Sequence, residues 1–149
     1  MKTIVVEFER GGKFTGRLFE RDAPQNCKML WDALPLEGQA GHTIWSGHGV
    51  NVRLSLKPVA ENLLLAVQDG MFGFFRERSS YDKGPTAPQH SELTFAMGYL
   101  VPRNPYIGDT PMYLIGRLEG TFEQFREVGA RIQRQGAEKV RITRGAETT

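Results

Sequence analysis

The densest chemistry in the chain is His42-Thr43-Ile44-Trp45-Ser46-Gly47-His48. An imidazole changes charge near neutral pH and serves as an acid, a base or an anion partner. An indole gives a flat apolar wall with one N–H to donate. On a strand, His42 and Ile44 share one face and Thr43 and Trp45 the other, with Ser46 on the side of His42. The stretch reads either as a pocket wall or as a packed Trp45 beside a hydrogen-bonded histidine. Arg53 and Arg76 lie in apolar-patterned segments, where a guanidinium fork can clamp a carboxylate or phosphate. Arg53 alternates with Val52 and Leu54, so it faces away from them; a solvated position is the plainer alternative. In Met71-Phe72-Gly73-Phe74-Phe75 one aromatic face is expected in the core, and the other is open to a ligand or a second subunit.

Other candidates carry less. The chain has three histidines, His42, His48 and His90, and one cysteine. A zinc site needs three or four converging ligands, and no H-x-x-x-H or H-E-x-x-H spacing occurs, so no metal and no cofactor are expected. Ser46 and Ser79-Ser80 lack the G-x-S-x-G setting of a nucleophile. Gly47 and Gly49 are not followed by the helix that a phosphate loop requires. Cys27 falls on an apolar helix face and reads as a small buried hydrophobe.

The positioning elements follow from periodicity. Thr3 to Glu9 alternates, Gly11-Gly12 turns, and Phe14, Gly16 and Leu18 resume the alternation, which is a β-hairpin pattern. Asp22-Ala23-Pro24 opens a short helix with Cys27, Leu30, Trp31 and Leu34 on one stripe, and Pro35 stops it. Glu61-Asn62 reads as a turn. Strands are expected on both sides of the His42–His48 turn, at 63–67, 71–76, 92–99 and 112–118, and briefly around Val140 and Ile142. Residues 77–90, which include Tyr81, have the composition of a lid or binding loop, and 101–111 form a second loop. Thr121 and Gln124 make a T-x-x-Q capping box for a helix lined by Phe122, Phe125, Val128 and Ile132, with Gly136 at its end. Residues 145–149 are expected to fray.

Composition sets the limits. The chain has 149 residues, 40% hydrophobic and 24% charged, with 17 glycines and 8 prolines. One domain, 1–149, is expected. The net charge of +2 is far from the basic stripe of a nucleic-acid binder. No apolar run is long enough for a membrane span, and the single cysteine suits a reducing, cytoplasmic setting. About eight short strands with frequent turns favour a barrel, which hides edges that would otherwise be exposed. The expected fold is mainly β: a closed barrel of about eight short strands with two capping α-helices.

That order of elements resembles the cyclophilin-like barrel, and in particular small bacterial families of unknown function with this fold. The segments that carry the resemblance are His42 to Gly47, Glu61 to Phe75, Glu92 to Gly98 and Ile115 to Phe125. True cyclophilins are prolyl isomerases with an arginine in an F-H-R segment; the corresponding stretch here has none, so that site does not carry over. The resemblance implies a small-molecule ligand, and cyclophilin-like modules in bacterial enzymes acting on amides and lactams imply a substrate class.

The combined expectation is a binding protein for an anionic or amide-containing metabolite. Its candidate residues are His42, Trp45, Ser46, His48, Arg53, Phe74, Arg76 and Tyr81. They are expected to form one site between the His42–His48 turn, the Phe72–Arg76 strand and the 77–90 loop. Two alternatives stand beside it: a hydrolase or isomerase using His42 or His48, and a regulatory subunit whose aromatic patch docks an enzyme or a second copy of the chain.

Overall fold

The computed structural model describes residues 1–76, 91–104 and 108–148. The strands are β1 (Lys2–Phe8), β2 (Lys13–Leu18), β3 (Leu36–His42), β4 (Gly47–Leu54), β5 (Leu63–Leu64), β6 (Met71–Arg76), β7 (Ser91–Leu100), β8 (Arg103–Asn104), β9 (Gly108–Asp109), β10 (Met112–Leu118) and β11 (Glu138–Glu147). The helices are α1 (Pro24–Ala33) and α2 (Phe122–Gln135). Every pairing is antiparallel, in the order β2-β1-β11-β3-β4-β7-β6-β10, and β10 returns to β2. The sheet therefore closes as an eight-stranded barrel, the architecture expected from the sequence. The two-residue β5 extends it beside β10, and β8 pairs with β9 separately. No helix among the described residues is long and apolar enough to cross a membrane.

Alternation decides what goes inside. Ile4, Val6 and Phe8 of β1, Phe14 and Leu18 of β2, Val50, Val52 and Leu54 of β4, Phe72 and Phe74 of β6, and Leu93, Phe95 and Met97 of β7 fill one core. The closing seam depends on two small residues. Gly116 of β10 faces Leu18, and Leu118 faces Gly16 of β2. A Cβ on Gly116 would sit 2.4 Å from the Arg17 carbonyl and 2.6 Å from the Phe72 ring; one on Gly16 would meet Ile4 and Phe72 at 3.0 Å. The Phe72 ring thus occupies the space these glycines leave. At the hairpin, Gly11 and Gly12 carry φ of 122° and 103°, values an L side chain strains to adopt.

The helices sit at opposite ends. Helix α2 lies where β1 turns into β2, with Phe125 against Phe14 at 5.4 Å and Val128 and Ile132 buried. The T-x-x-Q box forms as expected: Gln124 N donates to Thr121 Oγ1 at 3.3 Å, and Thr121 N donates to Gln124 Oε1 at 2.8 Å. Phe122 departs from expectation and is exposed, because it lies on the flank away from the barrel, where Arg126 stacks over its ring. The far end of α2 is held by Glu138, 2% exposed. It accepts from Arg131 Nε at 2.8 Å, Arg10 Nε at 3.2 Å and Arg10 N at 2.7 Å. Burial alone would raise the pKa of this carboxyl, but the Arg131 and Arg10 contacts overcome that and hold it below the usual carboxylate range.

Helix α1 covers the other end with Cys27, Leu30 and Trp31. Its first turn has no side-chain cap of its own, so Asp22 does not play the expected part. Instead Asn26 N donates to Glu61 Oε1 at 2.6 Å, and the Asn26 side chain exchanges hydrogen bonds with the Val59 backbone. Glu61 therefore caps a helix from the far side of two strands, while Asn62, at φ 50°, donates to the Leu114 carbonyl and makes the turn. Cys27 is buried; desolvation, the largest effect, pushes its thiol up to about 12, which leaves it inert as a nucleophile.

Two further expectations are corrected. Residues 145–147 do not fray: Glu147 pairs with Lys2, and Thr148 N donates to the Met1 carbonyl. The apolar run 63–67 is not a full strand; only Leu63–Leu64 pair with β10, and Val67 bridges to Leu100.

Gly116→Ala should destabilise the protein by about 1–3 kcal/mol through overpacking at the seam. Urea unfolding measures it, and an unchanged midpoint would show that the seam has room to spare.

Candidate functional site

At the α2 end, β3 finishes at His42 and β4 begins at Gly47. The turn between them is fastened to its neighbours. Thr43 Oγ1 donates to the Gly47 carbonyl at 2.6 Å, and Thr43 N donates to the Gly49 carbonyl at 2.9 Å. Ser46 is buried and polar but already occupied: Arg103 N donates to its hydroxyl at 2.9 Å, and Val101 N donates to its carbonyl at 2.8 Å. These bonds tie the turn to the end of β7 and to β8.

The two histidines meet. His42 Nε2 lies 3.1 Å from His48 Nδ1, and His42 Nδ1 lies 2.8 Å from the Thr43 carbonyl. The rings are 5.0 Å apart by their centroids. His48 reaches under α2 because two positions have no side chain: a Cβ on Gly98 would come within 3.2 Å of its ring, and one on Gly129 within 3.0 Å of its Nε2. That Nε2 is buried and has no hydrogen-bond partner among the described residues. Burial is the main force pushing the His48 pKa below the usual imidazole range, and the charge of His42 adds to it; the Arg126 carbonyl of α2 pulls the other way.

Around this pair the surface is apolar. Ile44 is 79% exposed, Trp45 53% and Tyr99 66%. Tyr99 shares this end because Gly47 pairs with Leu100. Cations stand here too: Arg103, paired with Asp109 at 2.8 Å, and Arg126, stacked over Phe122.

The candidates from the sequence do not converge on one place. His42, Trp45, Ser46 and His48 come together. Phe74 is fully buried in the core. Arg53 is exposed on the outer face of β4 opposite Glu92. Arg76 ends β6 opposite Ser91, which also faces Leu54 at the finish of β4. The distance from His48 to Leu54 along β4 is about 20 Å at strand rise, so β6 and β7 enter the 77–90 segment at the barrel end opposite the histidines. Tyr81 lies outside the described residues. Sequence reasoning missed Tyr99, Arg103, Arg126 and the glycines at 98 and 129. Tyr99 follows a register shift in the β4–β7 pairing, which period-two counting cannot see, and the α2 residues are joined to the site by tertiary packing alone. No group of three His, Cys, Asp or Glu side chains among the described residues converges as a metal site.

A family model covers residues 6–144, that of the DUF3830 proteins of unknown function. The chain belongs to this DUF3830 family. No curated protein matches it by sequence. Among solved structures, the DUF3830 chain is similar to McbB, determined in complex with tryptophan, at 20% identity and a TM-score of 0.70. The match covers 98% of this chain and 46% of McbB, so the chain spans about half of that protein's length. It is also similar to the hypothetical protein AF2241 from Archaeoglobus fulgidus, at 15% identity and a TM-score of 0.56, over 97% of this chain and 95% of that one. At these identities the likeness is one of fold.

The His48 shift sets a pH dependence. An imidazole whose pKa is lowered by folding binds fewer protons in the native state than in the unfolded one, so stability falls as pH falls. The window opens at the unfolded value of about 6.5 and extends downward toward the native one. The melting temperature of the wild type should therefore drop between about pH 7 and pH 5, and His48→Gln should flatten that slope; equal slopes in the two proteins would contradict the assignment.

Proposed function

We propose that the DUF3830 chain binds a small organic molecule, with an aromatic or amide plane and an anionic group, at the barrel end that carries His42 and His48. One observation carries this reading: three large apolar side chains, Ile44, Trp45 and Tyr99, stand exposed there, on a turn and a strand end that Val101 N ties together by donating to the Ser46 carbonyl. Isolated exposed apolar residues are ordinary, whereas a group of them on short, well-tethered backbone is how a recognition surface is built. Trp45 and Tyr99 supply stacking faces with polar tips. Arg103, positioned through its own backbone by Ser46, supplies a guanidinium that suits a carboxylate.

McbB, of which this chain spans about half, was determined in complex with tryptophan, and that supports choosing an aromatic carboxylate among the probes. The alternative of acid–base catalysis by the histidines finds no support in the geometry. His42 spends Nδ1 on the Thr43 carbonyl, His42 Nε2 and His48 Nδ1 face each other, and His48 Nε2 is buried. No ring nitrogen is left to meet a substrate.

Calorimetric titration with benzoate, nicotinamide and tryptophan tests the proposal. At least one should bind, and Trp45→Ala should weaken it about tenfold, the worth of one aromatic contact of about 1.4 kcal/mol. Arg103→Gln should weaken the carboxylates more than nicotinamide. Full affinity in the Trp45→Ala variant would move the site elsewhere, and no binding by any probe would overturn the reading.

A further inference from the structure

A second concave surface lies on a different flank of α2 from the one that meets the histidines. Gln124, Glu127, Val128 and Arg131 recur there at helical spacing, and the Gly11-Gly12 turn of the first hairpin packs against them. Between helix and turn the surface sinks into a cleft of about 260 Å³. Its charged side chains are Arg10, Lys13, Arg131 and Glu127. The two glycines shape it. A Cβ on Gly12 would stand 3.1 Å from both the Phe14 ring and Val128, so the turn sits directly on the helix. A Cβ on Gly11 would stand 3.6 Å from Arg131 Nη1. With glycine there, residue 11 puts no side chain over that nitrogen.

The charges at the cleft do not cancel. Arg10 and Arg131 share one carboxylate, the buried Glu138, which their contacts keep ionised. One negative charge between two guanidiniums leaves one positive charge over, and its position is fixed. Arg131 donates from Nε to Glu138 and from Nη2 to the Gly11 carbonyl, both at 2.8 Å. Its Nη1 takes part in neither bond. Arg10 spends Nε on Glu138, Nη1 on Gln135 and Nη2 on the Gly136 carbonyl, so it contributes charge but no spare edge. Lys13 stands 3.6 Å from Glu7 with both side chains exposed, a pair too weak to hold the ammonium against a better anion. Glu127, exposed on the helix side, is the one opposing charge in the lining.

We propose that this cleft binds a phosphate dianion, free or as a small phosphomonoester, with Arg131 as the fixed anchor and Lys13 as a second cation. Guanidinium N–H groups suit the oxygens of a phosphate. Arg131 is already held by two bonds, so it loses little side-chain freedom on binding. The surplus charge of the Arg10–Glu138–Arg131 group together with Lys13 favours a dianion over a single carboxylate. Glu127 works against the anion from the helix side. The site is separate from the histidine surface and does not depend on a ligand there.

Amide-shift titration of the ¹⁵N-labelled wild-type chain tests this, with inorganic phosphate in one arm and glycerol 3-phosphate in the other. It is run at about pH 7.5, where a phosphomonoester is a dianion, against potassium chloride at matched ionic strength. Saturable shifts should gather in residues 10–14 and 124–131. Tighter saturation by phosphate would support the proposal with the free ion as ligand, and tighter saturation by the ester would support it with the ester. Lys13→Gln should weaken binding about threefold, the scale of one exposed ion pair, and Glu127→Gln should tighten it by about the same factor. Lys57→Gln removes a charge at the other end of the barrel, near Val59, which bonds to Asn26 of α1, and should change nothing. Shifts reproduced by chloride, shifts centred on residues 42–49, or equal weakening by Lys13→Gln and Lys57→Gln would overturn the proposal.

Discussion

Short antiparallel strands leave their edge groups open to any other chain unless the sheet returns to itself. Here that return is the pairing of β10 with β2, over three residue pairs from Gly116–Leu18 to Leu118–Gly16. It is possible only because glycine stands where the Phe72 ring must pass. Closure then fixes everything else. It forces one face of each strand inward and leaves the barrel two ends, each of which a helix must cover. It also determines which loops share an end. The histidine turn lies at the α2 end because β3 and β4 run up to it, and Arg76 lies at the other because β6 runs down.

The helix over the histidine end is seated by two unlike devices. One is electrostatic: the buried Glu138 carboxylate gathers Arg10 from the hairpin and Arg131 from α2. Removing one partner of such a group leaves an uncompensated buried charge, which is among the most costly local changes in a protein. The other is steric: glycines at 98 and 129 let an imidazole lie between strand and helix. The first device is saturated. The second carries a buried nitrogen, His48 Nε2, with no hydrogen-bond partner among the described residues, an arrangement uncommon in a close-packed protein.

Much of this fold was legible in the residues. Alternation in β1, β2 and β4 separated two faces of each strand, the Gly11-Gly12 turn gave the first hairpin, and Thr121 with Gln124 gave the start of α2; which face turned inward was not legible. What escaped was what depends on remote partners. The polar end of β11 forms a strand only because Lys2 lies across from it. The N-terminus of α1 is satisfied by Glu61, 35 residues from Asn26. The apolar run at 63–67 looks like a core strand but forms only a short edge. For the site, the chemistry of the His42–His48 stretch was visible, but not which end of the barrel each loop serves. Register decides that, and one sequence does not contain it.

The account stands on the claim that recognition happens at the histidine end of the barrel and not at the Arg76 end. Chemical-shift mapping on the ¹⁵N-labelled protein, titrated with the tightest small aromatic carboxylate or amide, tests it most directly. The account predicts that perturbed amides gather in residues 42–49 and 97–103, with little change near Leu36, Leu54 and Ser91. Perturbations centred on Leu54, Ser91 and α1, with the histidine turn silent, would contradict it.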